Sequence, residues 1–224
     1  LKKISFEKAQ PVISDLKFPG IQPFYNGLIK LADSLYVCDA NLEEECEYVF
    51  IYPDGELKKW GIYPEEVERF GDLLSRNQAY SKIKVAHPSG KYFAAFYTNF
   101  RRLRIYDVSG SMLHDIELNV LSGEQEVSLE AEKRYIHAIA VYATEDYIYT
   151  LNLDMTPQDI YARKQFPSLQ IFSWEGKPLK QYKLDRYISA FTIDEDRQIL
   201  YGVFAEDESS IYTCLLYTSP SPRD

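Results

Sequence analysis

Histidine, cysteine and methionine are scarce: three, three and two of the 224 residues. Neither Cys38 nor Cys46 stands at metal-ligand spacing from another cysteine or a histidine, so no metal site is expected. A disulfide framework is equally unsupported. The two cysteines flank the polar stretch DANLEEE, which permits a bridge without requiring one. No apolar run reaches the roughly 18 residues of a membrane-spanning helix. Positive charge is neither abundant nor clustered. Lys and Arg number 25 against 34 Asp and Glu, a formal net charge of -9, and only Arg101, Arg102 and Arg104 lie close together. That argues against a nucleic-acid partner, which wants a concentrated basic surface. Fingerprints for a serine-hydrolase elbow, a P-loop and a dinucleotide site are missing. DEDRQ from Asp194 lacks the glycine and terminal glutamate of an EF-hand. No cofactor is implied.

What the chain does have is strand pattern. It is 46% hydrophobic and 15% aromatic, enough to bury a sizeable core. KYFAAFYT, LRIYDV, YIHAIAVYA, YIYTLNL, LQIFSW, FTID and ILYGVF all read as strands. Several are almost continuously apolar, which predicts burial on both faces. One segment reads as helix, PEEVERFGDLLSRN from Pro64: a proline opens it, Glu65 and Glu66 suit a first turn, and Val67, Phe70, Leu73 and Leu74 mark one face.

The text also repeats. RYIHAIAVYATEDYIYTL begins at Arg134, and RYISAFTIDEDRQILYGV begins 52 residues later at Arg186. Around these phrases the strands fall into units of four, A to D. C-to-D turns recur as PDGE, VSGS and WEGK, with Gly55, Gly110 and Gly176 supplying the positive φ of tight hairpins. Short antiparallel four-stranded units in tandem indicate β-propeller blades, an all-β fold. About three and a half blades are expected, an incomplete ring.

If A to D pair in order, B–C and D–A connections emerge on one face of the ring and A–B and C–D turns on the other. The long connections, 61 to 80, NVLSGEQEVSLEAEK from Asn119, and 152 to 168, are all of the first kind. Ligand contacts concentrate on loops held by a rigid scaffold, so the long-loop face is the candidate functional face. Drift of harmless loops gives the same pattern.

Two end effects enter the reading. Leu1 is not a start methionine, so a missing leader says nothing about location. CLLYTSPSPRD, Cys214 to Asp224, resembles one reading frame of a sequencing-library adapter. The expected division is therefore a partial propeller over 1–213 and a non-native tail over 214–224.

IFSWEGKPLKQYKLDRYISAFTIDEDRQILYGV, together with YATEDYIYTLNL before it, resembles the TolB-like six-bladed propeller proteins of Bacteroidetes-type bacteria. The resemblance covers most of Ile21 to Thr213 and is clearest after Tyr135. It implies an envelope location, periplasmic or at the cell surface, reached through an export or lipoprotein signal, with a lipid anchor ahead of the present sequence. It carries no assigned activity and no catalytic residues. This chain departs from the pattern by lacking N-terminal blades and closing strands.

Little chemistry is marked locally. His87 falls in an A–B turn and His114 in an outer strand, both expected in solvent. His137 starts an innermost strand near the channel mouth, where packing and a functional role are both open. Carboxylate runs such as Glu43 to Glu45 read as solvated. Arg134, Tyr135, His137, Tyr161, Arg163 and Arg186 are the candidate ligand contacts, an aromatic and cationic rim on the long-loop face. Tyrosines packing between blades would give the same sequence. The expected function is a non-catalytic binding or scaffold propeller whose ligand is a protein, peptide or glycan. The alternative is a glycan- or peptide-directed hydrolase or lyase with its site at the channel mouth.

Overall fold

A computed structural model describes residues 2–7, 10–15, 27–32, 35–40, 45–64, 70–118, 127–204 and 206–216. A hairpin of β1 (Lys2–Glu7) and β2 (Gln10–Asp15) comes first. Four antiparallel sheets follow in chain order. The first joins β3 (Ile29–Lys30), β4 (Tyr36–Asp39), β5 (Tyr48–Ile51) and β6 (Leu57–Trp60). The second joins β7 (Lys82–Ala86), β8 (Tyr92–Tyr97), β9 (Arg102–Asp107) and β10 (Met112–Glu117). The third joins β11 (Ile136–Ala143), β12 (Tyr147–Met155), β13 (Ser168–Ser173) and β14 (Pro178–Lys183). The fourth has β15 (Ala190–Asp194), β16 (Ile199–Phe204) and β17 (Asp207–Leu215). Each sheet pairs its strands in sequence order, the meander of a propeller blade, and no sheet closes on itself among the described residues. The first strands of successive blades lie side by side, β3 against β7, β7 against β11 and β11 against β15.

Blades stack face to face, which explains the unbroken apolar runs. Successive side chains of a strand point to opposite faces. In β8, Phe93 and Ala95 enter the seam with the first blade, while Ala94 and Phe96 enter the seam with the third. In β12, Ile148 faces the second blade, and Tyr149 and Leu151 face the fourth. The first seam is aromatic. Tyr48 stacks on Trp60 at 4.8 Å between centroids, and Phe93 stacks on Tyr106 at 5.1 Å. Such pairs add about 0.5–1.5 kcal/mol each beyond the area they bury. The last seam is largely aliphatic, built around Leu169, Ile171, Ile188, Leu200 and Leu216. On the far face of the fourth blade, Val203, Ile211 and Leu215 are exposed.

The C–D glycines take φ between +76° and +92°, as tight turns there require. The segment expected as one helix is interrupted. α1 spans Leu73–Ala79, and Gly71 at φ +62° breaks any continuous helix from Pro64. Residues 65–69, with Val67, lie outside the described residues, as do the side chains of Leu73 and Leu74. Phe70 is buried with Tyr63, Tyr80 and Tyr97 on the long-loop face. The 152–168 connection also starts later, because β12 continues to Met155. A one-turn helix α2 (Pro157–Tyr161) then follows, capped by Thr156, whose side chain accepts from the Asp159 amide.

Cys38 and Cys46 are both thiols, and the Cys38 Sγ donates to the Val49 carbonyl at 3.7 Å. β17 runs two residues past Thr213, pairing Cys214 with Leu200 and Leu215 with Ile199. Leu216 is buried, and 217–224 lie outside the described residues. No helix among the described residues is long and apolar enough to cross a membrane.

Candidate functional site

Where the second and third blades meet, three side chains converge at the long-loop end. His137, second residue of β11, is anchored by its own amide, which donates to the Thr98 carbonyl at 2.7 Å. Its ring Nδ1 lies 2.6 Å from Asp154 Oδ1. The same oxygen accepts from Arg101 Nε at 3.4 Å. Arg101 sits in the tight β8–β9 connection, and Asp154 near the end of β12 adopts φ +52°. Aspartate is among the few non-glycine residues that tolerate that conformation.

Burial pushes the Asp154 carboxyl up, but the hydrogen bond and charge of His137, reinforced by Arg101, hold it below the usual carboxylate range. It is therefore ionised at neutral pH and can only accept, so Nδ1 of His137 carries the proton that lies between them. A neutral ring then presents Nε2 as an acceptor. Phe96, Phe100 and Leu118 form apolar walls of this cleft, and Asn152 and Gln170 contribute amides. Tyr135 stacks on His137 at 6.2 Å between centroids.

The six candidate contacts fall into two groups on this face. Arg134 does not reach a ligand surface: it is buried, donating from Nε to the Ser128 carbonyl and from Nη2 to the Leu129 carbonyl, both at 2.8 Å. Its guanidinium lies over Phe70, so it clamps the loop in front of β11. His137 lines the cleft, and Tyr135 stacks on it. The second group lies toward the fourth blade. Tyr161, at the end of α2, is 91% exposed. Arg163 pairs with Glu206 and lies over the rings of Tyr187 and Phe204. Arg186 is exposed and lies over Tyr212 at 5.3 Å. α2 rests against the 3-10 turn Ala131–Lys133, linking the two groups.

Asp154 and Arg101 were not marked as contacts by the sequence. The one signal available was an acidic residue closing an inner strand at the mouth of the longest B–C connection. His87, expected in solvent, is mostly buried. Its Nε2 meets the Glu145 carbonyl at 3.0 Å, its Nδ1 accepts from the Ser89 amide, and its ring packs edge-on against Trp174. It ties neighbouring blades together on the short-turn face. His114 stays half-exposed on the outermost strand.

A second polar cluster lies inside the first seam. Glu47, missed beside the run Glu43 to Glu45, is 1% exposed. Its carboxylate accepts from Tyr97 Oη at 2.6 Å, from Arg104 Nη1 at 2.9 Å and from Lys82 Nζ at 3.1 Å. Burial, then the neighbouring Glu47 charge, pushes the Tyr97 phenol well above its usual range, so it remains a donor. Lys84, also buried, pairs with Asp39 of the first blade. Both oxygens of Glu47 have partners, and Lys82, Lys84 and Arg104 are each paired across the seam, so this cluster acts as a latch between blades. Among the described residues no group of His, Cys, Asp and Glu could hold a metal ion.

Known proteins agree on the architecture. No curated protein sequence matches the chain. Among solved structures, the extracellular domain of a candidate one-component system from B. thetaiotaomicron aligns with TM-score 0.51 at 9% identity, over 87% of this chain and 22% of that one. A candidate 6-phosphogluconolactonase from Bacteroides uniformis aligns with TM-score 0.51 at 10% identity, over 94% of this chain and 59% of that one. At such identities the likeness concerns fold alone, and the chain spans less than two thirds of either. The family described as TolB-like 6-blade propeller-like matches residues 4–196, and with its meander blades stacked in chain order, the chain belongs to that family.

Proposed function

We propose that this chain is part of a non-catalytic binding or scaffold propeller of the bacterial envelope, and that its ligand, a protein, peptide or glycan, lies on the long-loop face. The observation that carries this reading is the cleft in which one carboxylate, Asp154, gathers His137 and Arg101 beside apolar walls. Polar groups converging in a partly apolar recess are the usual mark of a ligand site. The exposed Tyr161 and the Arg163 and Arg186 side chains extend the same face. The proposal includes a periplasmic or surface location, which the family resemblance and the extracellular setting of the B. thetaiotaomicron domain support.

Immobilised peptide and glycan arrays probed with the chain test the reading. H137A, Y161A, R163A and R186A should each weaken capture, by about tenfold or more at an anchoring contact. E175A and K177A, in the opposite turns, should change nothing. Loss confined to the two control positions would show that the wrong face had been chosen.

A second reading, a glycan- or peptide-directed hydrolase or lyase, is favoured by one feature. With Asp154 accepting from Nδ1, the neutral form of the His137 ring leaves Nε2 as an acceptor, the arrangement a general base needs. Turnover of a captured ligand that disappears in H137A would select this reading over simple binding.

A further inference from the structure

The cleft also indicates what kind of group it takes, an inference that rests on the long-loop-face reading above. Arg101 spends its Nε on Asp154. Its two Nη groups make no hydrogen bond to the described residues, and the side chain is 22% exposed. That pair of donors is half of a guanidinium fork, whose planar spacing matches the two oxygens of a carboxylate. Held through Nε by an ionised partner, the fork is fixed in orientation before any ligand arrives. His137 is fixed by the same oxygen. With the proton on Nδ1, the neutral form of the ring offers Nε2 as an acceptor that has no bond to the described residues and calls for a donor on the ligand.

A donor fork and an acceptor therefore sit on two sides of one anchoring oxygen. The Asp154 charge is already balanced by Arg101 and by the Nδ1–H of His137, which limits its repulsion of an incoming anion. Phe96 and Phe100 supply the wall for an apolar or ring-shaped body, and Asn152 adds an amide that can give or accept.

We propose that this cleft binds a carboxylate flanked by an N–H or O–H donor, the carboxylate on the Arg101 fork and the donor on His137 Nε2. Two sources share that chemistry, the C-terminal residue of a peptide and a sugar acid. The same pattern excludes bare anions such as chloride and neutral sugars as good ligands.

The chain has only three histidines, so selective labelling of the imidazole ring gives three NMR signals, with His87 and His114 reporting the integrity of the fold. N-acetylphenylalanine and galacturonate are the carboxylate probes; N-acetylphenylalanine amide and galactose are their neutral counterparts. The His137 signal should move saturably with at least one carboxylate probe and stay still with both neutral ones. Which acid moves it identifies the source. R101Q should weaken that binding about tenfold or more, the loss expected of a charge-assisted pair, with the His87 and His114 signals unchanged. Equal response to acid and neutral probes, a silent His137, or unaltered binding in R101Q would each overturn the assignment. If array ligands were still lost in Y161A and R163A while His137 stayed silent, the carboxylate site alone would fall and the face would stand.

Discussion

Replacing Glu47 by glutamine should destabilise the chain more than any change on its surface. The carboxylate is buried between the first two blades, and the side chains it holds, Lys82 and Arg104, are only 4% and 6% exposed. The amide keeps the shape and one acceptor oxygen but removes the charge that offsets two buried cations. Its NH2 group also faces donors where Glu47 had offered only acceptors. Arg104 retains Asp115 at 3.0 Å, whereas the Lys82 ammonium keeps only the Tyr80 carbonyl at 3.5 Å and the faces of Tyr48, Tyr63 and Tyr97. Removing one partner from a buried pair costs about 3–5 kcal/mol, because the other charge is left uncompensated. For a chain of this size, that is a fall in melting temperature of about 6–20 °C. Urea unfolding of E47Q beside the unaltered chain measures it directly, and K82M in the same background should recover part of the loss. A cost below about 1 kcal/mol would refute the claim that this carboxylate latches the blades.

Asp154 predicts an acid effect. Its folded value lies below the ordinary one, so its contribution is present above the unfolded value of about 3.9 and is lost as pH falls through the folded value. D154N should therefore flatten the acid limb of a stability-against-pH curve, measured by urea unfolding below about pH 4; an unchanged limb would show that the ion pair is not coupled to folding. Cutting after Leu216 should leave stability unchanged, whereas cutting after Thr213 removes the Cys214–Leu200 pairing, the Tyr182 bond to the Leu216 carbonyl and the buried Leu216 side chain. The second cut should cost about 1.5–3 kcal/mol from leucine burial alone, read from paired thermal melts. Gly176→Ala should cost about 1–2 kcal/mol through its positive φ, and more if Ile116, whose Cδ1 would lie 1.8 Å from the new Cβ, cannot turn aside. By contrast, R163A breaks an exposed pair with Glu206 and should stay within about 1 kcal/mol in the same melts.

The blades were legible because their signals are local. Alternation gives the strands, and a glycine at each C–D turn gives the hairpins. A second-blade strand such as β8 reads as an apolar run because it serves two seams at once. The segment from Pro64 read as one helix because periodicity in Phe70, Leu73 and Leu74 outweighed one glycine, Gly71, whose positive φ interrupts it ahead of α1. The site was only half visible. His137 stood out by its rarity, but Asp154 is 17 residues away in sequence and Arg101 is 53 residues from Asp154. Their convergence depends on how two blades stack, which no local pattern encodes. Glu47 was hidden differently: its neighbours in the chain look like a solvated acidic run, and its partners lie 35 to 57 residues away in the next blade.

The two RYI phrases show how such a scaffold can diversify. Arg134 and Arg186 occupy equivalent places, yet one is closed beneath a long connection and holds it, while the other stands in the open above a tyrosine. The arginine is the same, but the chain in front of it differs, and one guanidinium binds that chain while the other lies over a ring. A repeat of this kind can acquire a new recognition surface by lengthening or trimming one loop, with the blade beneath it untouched. Grafting the 118–135 connection ahead of the fourth blade should convert the exposed arginine into a clamp, and shortening it ahead of the third should set Arg134 loose.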